Sequence, residues 1–192
     1  MPRSSAEETA RTARRTLETA RGMFVEHGYT AVSLERIARA AGVTRGALYH
    51  HYGSKAGLFR AVASEVQAEV AEAVEAAAAS AGGDAGEQLR AGSHAFLEAI
   101  TSEGRARVLL VDAPAVLGWA QWLELDAAHA RRSLHAVLGE LGLPAPLVPA
   151  LTAQLSGAMN EAALWLAQRP GDEAARRAAH EALERLLRAA TP

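Results

Sequence analysis

Residues 33–55, SLERIARAAGVTRGALYHHYGSK, leave this chain few folds to choose from. They read as two short helices joined by a tight glycine turn, with a third helix starting at once. Ser33 is a good N-cap, because its hydroxyl can accept a hydrogen bond from a free backbone N–H of the first turn. Val32 and Ile37 stand at the two positions of a hydrophobic staple. Glu35 puts a negative charge in the first turn, where the helix dipole favours it. Leu34, Ile37, Ala38 and Ala41 keep the spacing of one helical face, and the two alanines let another helix come close. Gly42 falls where a left-handed C-terminal residue is wanted. Thr44 then caps a second helix, and Ser54 caps a long one that begins at Lys55. On the second helix Ala47, Leu48 and Tyr52 can turn inward. Thr44, Arg45, Gly46, Tyr49 and His50 are left on the outer face. Small, basic and hydroxylated side chains on one helical face suit a helix laid in a DNA groove, the layout of a helix-turn-helix.

The surrounding residues carry a resemblance. The spacing Ala20, Phe24, Gly28, Tyr29, Ser33, followed by IARAAGVTRGALYHHY and GSK, is similar to the N-terminal domain of the TetR family of bacterial transcriptional regulators. The likeness runs from about residue 12 to 62 without a gap. Tyr52 stands where that family more often has Phe, so its hydroxyl must reach solvent or a partner. The resemblance implies that Thr44, Arg45, Tyr49 and His50 contact phosphates or base edges. It also implies that Gly46 and Ala47 lie closest to the bases, and that Ser33 and Lys55 meet phosphates at helix N-termini. Arg45 is the candidate for a guanine, whose O6 and N7 a guanidinium can bind together, with phosphate contact as the alternative. For Tyr49 the alternative is a packed core tyrosine.

Charge follows the same division. Residues 1–60 hold 10 Lys and Arg against 5 Glu, a net of +5, and residues 61–192 carry a net of −7. A basic head on an acidic body is what a phosphate-binding module needs. The chain has no cysteine, which excludes disulfides and thiolate metal sites. No apolar run approaches a membrane span, and the first residues lack the apolar core of a signal peptide, so a cytoplasmic protein is expected. Neither HExxH, GxSxG nor a phosphate loop is present, so neither an enzyme nor a cofactor is expected.

Periodicity predicts helices throughout, hence an all-α fold. The expected organisation is a three-helix DNA-binding domain over 1–54 and a helical effector-binding and dimerisation domain over 55–192. Predicted helices run over about 7–27, 55–79, 117–141, 149–168 and 172–189. A further one follows the cap at Asp84, and a short one over 105–111 stops near Pro114. The helix over 149–168 has two apolar stripes and must be buried on both. Either it is a central core helix, or one face meets a second subunit together with Leu183, Leu186 and Leu187 of the last helix. The resemblance favours a homodimer through 149–168 and 172–189, reading a near-palindromic DNA operator. It also implies an effector pocket within the second domain. The side chains expected near it are His94, Phe96, Trp119, Trp122, Met159, Asn160 and Glu161. An apolar cavity with few polar groups suits a small lipophilic or aromatic molecule. The function expected is a ligand-responsive repressor. The alternatives are an activator, or a ligand-independent or architectural DNA binder.

Overall fold

A computed structural model describes residues 3–128 and 130–191, with side-chain positions from residue 7 onward. Ten α-helices follow one another, and no strand occurs among the described residues. They are α1 (Arg3–Ala31), α2 (Leu34–Ala41), α3 (Arg45–Tyr52), α4 (Lys55–Ser80), α5 (Ala85–Thr101), α6 (Ala113–Leu117), α7 (Trp119–Ala127), α8 (Ala130–Gly139), α9 (Leu147–Ala167) and α10 (Glu173–Ala190).

The first three helices form a small head. Gly28 breaks α1 with a non-helical backbone (φ 77°, ψ 162°), which turns the chain toward α2. Phe24, Val32, Ile37, Leu48, Leu58 and Phe59 lie almost wholly out of solvent in the head core. Each such side chain contributes about 1.5–3 kcal/mol on burial. Phe24 and Tyr29 both meet Phe59 edge-on with ring centres 5.2 Å apart. Leu58 and Phe59 belong to the first turn of α4, so α4 completes the head core before running on into the body.

In the body α4 lies along α5, and α8 and α9 close around α5. Leu58, Phe59, Val62, Val66 and Val70 of α4 point inward, along one helical face. Gly92 of α5 faces Val74 and Ala78 of α4, and a Cβ there would meet Val74 Cγ1 at 3.4 Å, ordinary van der Waals contact. α10 covers α5 and α9 from outside through Ala175, Ala179, Leu183 and Leu187.

Two expectations fail between α5 and α9. The single helix predicted over 117–141 is two helices, α7 and α8, preceded by Gly118 at φ 82°. Pro114 does not stop a helix; it stands in the first turn of α6 after a π-helical turn over Arg107–Asp112. In that turn Ala113 N–H bonds the Val108 carbonyl. The next acceptor in this register is Leu109, whose partner would be the N–H that Pro114 lacks. The Trp122 indole N–H takes its place, 2.7 Å from the Leu109 oxygen. Proline is tolerated here because a side chain from α7 satisfies the carbonyl it leaves open.

Candidate nucleic-acid interface and effector cavity

The helix-turn-helix is built by its caps. Ser33 Oγ accepts from Arg36 N–H at 3.2 Å, and Thr44 Oγ1 from Ala47 N–H at 3.1 Å. Ser54 Oγ accepts from Gly57 N–H at 2.9 Å. Gly42 adopts the left-handed conformation (φ 68°), and its N–H reaches Arg39 O while Val43 N–H reaches Ala38 O. This paired closure fixes the angle between α2 and α3. Val32 and Ile37 are both buried, as a staple requires.

This leaves one face of α3 in solvent. Thr44, Arg45, Gly46, Ala47, Tyr49 and His50 are all exposed, with Tyr49 at 60%. The alternative of a packed Tyr49 is therefore wrong in this chain. So is the inward placement of Ala47, because only Leu48 is buried on α3. Arg45 Nη1 lies 2.7 Å from Glu35 Oε1, an exposed ion pair that tethers the start of α3 to the start of α2. A backbone hydrogen bond first, with the charge of Arg45 adding to it, holds the Glu35 carboxyl below its ordinary value. Lys55 places Nζ 4.1 Å from the Tyr29 ring centre, and burial lowers its amine from the usual lysine value. Its charge thus rests on the head, beside the N-terminus of α4.

Tyr52 departs from expectation. Its ring packs on the head core, but its hydroxyl is shielded from solvent and has no hydrogen-bond partner among the described residues. Gly57 was missed in the sequence. A Cβ there would run into the Tyr52 carbonyl oxygen, so only glycine lets α4 start against the end of α3. The GSK cue drew attention to residues 53–55, and nothing in periodicity singles out position 57.

Head and body are tied by polar contacts as well as by α4. Asp112 Oδ2 accepts from Tyr29 N–H at 3.2 Å, just after the break at Gly28. Arg107 Nη1 donates to Val25 O at 3.3 Å. Arg21 and Arg105 clasp Glu69 and Glu103. The π-helical turn therefore touches α1 at two points.

Two cavities lie in the body. One of about 360 Å³ opens between α4, α5 and α8 and reaches Met159 of α9. Val74, Leu89, Phe96, Leu134 and Met159 form its apolar wall, with Ser93, Ser156 and Asp126 as polar groups and Glu75, Gln88, Arg131, Ser133 and Glu140 also among its lining. Asp126 Oδ1 accepts from Gln67 Nε2 at 3.2 Å. The second, about 400 Å³, is a shallow groove between α9 and α10, walled by Ala158, Ala162, Trp165, Ala178, Ala182 and Leu186.

Of the side chains expected near a pocket, the first cavity takes only Phe96 and Met159. Glu161 and again Met159 line the groove. Trp122 is held away by its bond to Leu109, and Trp119, 65% exposed, packs on Trp122 with ring centres 4.8 Å apart. Asn160 lines neither cavity. His94 turns to α10, where it meets His180 and Glu184. The two tryptophans stand apart from the cavity because the Leu109 carbonyl holds Trp122, and Trp119 packs on Trp122.

No helix among the described residues is long and apolar enough to cross a membrane. Residues 17–62 match the family model described as bacterial regulatory proteins, tetR family. Residues 86–190 match that of the tetracyclin repressor-like C-terminal domain. The transcriptional repressor AcnR of Corynebacterium glutamicum is 48% identical over 58 residues, covering 30% of this chain and 31% of that protein. The regulator AcrR of Shigella flexneri is 34% identical over 110 residues, covering 57% and 51%. The chain thus spans about a third of the length of the first of these curated relatives and about half of the second. A TetR-family regulator from Pectobacterium atrosepticum superposes over 100% of this chain and 98% of its own, with a TM-score of 0.76 and 33% identity.

Proposed function

The chain belongs to the TetR family of bacterial regulatory proteins, and from that premise we propose that it is a dimeric repressor of a near-palindromic operator, released by a small lipophilic or aromatic effector. The observation that carries this reading is the solvent-facing side of α3. Arg45, Gly46, Ala47, Tyr49 and His50 lie open on a helix whose other face is anchored by Leu48. Tyr49 offers apolar and hydroxyl contact, Arg45 the bidentate fork, and Gly46 and Ala47 no bulk to hold the helix off the bases. Ser33, Thr44 and Ser54 spend their hydroxyls on capping. Their contribution to DNA is then through the first-turn N–H groups, which attract phosphates. Lys55 adds charge at the last of these N-termini.

The groove between α9 and α10 supports the dimer. Trp165 and Leu186 remain exposed at 38% and 49%, and a second copy of the two helices would cover them. A two-fold dimer presents two α3 helices about 34–36 Å apart or slightly more. In this reading residues 1–54 form the DNA-binding unit and 55–192 the effector and dimer unit, with α4 as the lever shared by both. The 360 Å³ cavity is the effector site, walled by α4 and α5. A ligand that fits better with α4 tilted shifts the head separation away from the operator. The contacts of Arg107 and Asp112 with α1 give the body a second hold on the head. A tenfold loss of operator affinity needs about 1.4 kcal/mol of such coupling.

The test is a gel-shift titration on a selected operator, with sedimentation to count chains. Two chains per operator, and release by a hydrophobic compound that Ser93→Trp no longer admits, are expected. Compounds that bind the cavity tightly yet leave operator affinity unchanged would contradict the effector mechanism.

A further inference from the structure

Between α5 and α10 lies a row of four ionisable side chains that the regulatory reading does not use. Glu98 Oε1 is 2.8 Å from His180 Nε2, the two histidine Nδ1 atoms are 2.7 Å apart, and His94 Nε2 is 3.2 Å from Glu184 Oε2. The imidazole rings lie 21° from parallel with centres 4.9 Å apart. A nitrogen separation of 2.7 Å is shorter than any face-to-face stacking distance. The rings therefore meet edge to edge, nitrogen toward nitrogen.

Protons can be counted along this row. Each Nε2 faces a carboxylate oxygen, which only accepts, so each Nε2 carries a hydrogen. The contact between the two Nδ1 atoms needs a third. Two neutral imidazoles own two N–H hydrogens between them, one too few. A metal ion does not fit instead: two nitrogens on one tetrahedral zinc stand about 3.3 Å apart. Among the described residues no group of three or more His, Cys, Asp or Glu is placed to hold a metal ion.

We propose that His94 and His180 share one extra proton and, braced by Glu98 and Glu184, form a latch that tightens the apolar packing of α10 on α5 only while that single proton is bound. Losing it sets two lone pairs face to face. Gaining a second sets N–H against N–H.

The neighbouring charges fit such a narrow window. Arg90 of α5 and Arg188 of α10 bind Glu184, and Arg176 of α10 stands 3.8 Å from Glu98. Arg90 first and His94 second hold the Glu184 carboxyl down to about 2, so this brace stays ionised far into acid. These arginines resist a second proton on the pair. Other nearby charges are engaged elsewhere: Glu181 with Arg185 on the outer side of α10, Glu161 in the groove, Glu75 with Ser133, and His135 with Thr152.

The latch joins two working surfaces. On α5, Ser93 and Phe96 flank His94 in sequence and line the 360 Å³ cavity. On α10, Ala178 and Ala182 line the groove on the helix flank away from His180. The consequence for pairing of two chains rests on the dimer reading; the latch does not.

Histidine ring resonances of the full chain, followed by NMR from pH 5 to 9 and assigned with His94→Gln and His180→Gln, give the direct test. The expected result is a coupled two-step titration of the pair, with a far-downfield N–H signal between the steps. Amide protection in α10, taken relative to the intrinsic exchange rate at each pH, should be highest between the steps and about tenfold lower on either side. In His180→Gln this bell should flatten. Two independent single-site titrations, or α10 exchange with the same pH profile in wild type and variant, would overturn the latch. Sedimentation at the same pH values separates the two readings. A coupled titration in a chain that is monomeric throughout removes the dimer and leaves the latch.

Discussion

Tyr52→Phe should make this protein more stable, although it removes a polar group and adds nothing. The Tyr52 hydroxyl is shielded from solvent without a hydrogen-bond partner among the described residues, while its ring packs against the head core. In the unfolded chain that hydroxyl is hydrated. Leaving such a group buried and unsatisfied costs about 1–3 kcal/mol. Phenylalanine keeps the ring and avoids the cost. A gain of about 1 kcal/mol is expected, which for a chain of this size raises Tm by about 2–4 °C. Urea melts should show a higher midpoint at unchanged slope, because the surface exposed on unfolding is the same. A second signature comes from pH. Burial first, and the charge of Glu65 second, raise the Tyr52 hydroxyl above its ordinary value of 10. A raised value means stability present below pH 10 and lost as pH climbs through the folded-state value. The variant lacks this loss, so its advantage should widen above pH 10. Operator affinity should not change, since Tyr52 lies behind the exposed face of α3. A variant equal to or less stable than wild type would refute the reasoning, because the hydroxyl must then have a partner.

Three further outcomes are expected. Arg45→Ala should weaken operator binding by about 1–3 kcal/mol and relax the preference at one base pair if Arg45 reads a guanine; weakening that is uniform over all sequences in gel shifts would assign it to a phosphate. Gly57→Ala forces a Cβ onto the Tyr52 carbonyl, so it should lower Tm and loosen the junction of α3 and α4, seen as faster amide exchange there; an unchanged melt would show that the junction can shift freely. Glu184 is held at about 2 in the folded chain against an ordinary 4.5, so its contribution is complete above pH 4.5 and is lost as pH falls toward 2. Glu184→Gln should accordingly shallow the acid limb of the stability profile, and an identical limb in variant and wild type would count against the Arg90 and His94 contacts.

What the sequence revealed and what it hid follow from the range of the forces involved. The caps at Ser33, Thr44 and Ser54, the left-handed Gly42 and the Val32–Ile37 staple were legible because each acts within six residues of itself. The helix over 55–79 was legible because its apolar residues keep the helical spacing over its length, and α4 spans Lys55–Ser80. The body yielded less. Nothing local marks the split between α7 and α8, since residues 119–138 hold neither glycine nor proline. The role of Trp122 depends on a carbonyl that Pro114 left open, a contact made thirteen residues away. His94 looked like a pocket residue because its partner His180 is 86 residues distant. At α3 the exposed face was foreseen except for Ala47, whose small side chain satisfies either environment. The Arg45–Glu35 pair was not foreseen at all, though the two residues stand in the first turns of neighbouring helices.

The central claim, a two-fold regulator reading DNA through α3, is tested most directly by selecting bound fragments from random-sequence DNA with the purified chain at moderate salt. The account predicts a near-palindrome whose half-sites lie about one helical turn apart or slightly more. Enrichment of DNA with no shared motif would contradict it and leave a non-specific, architectural binder in its place.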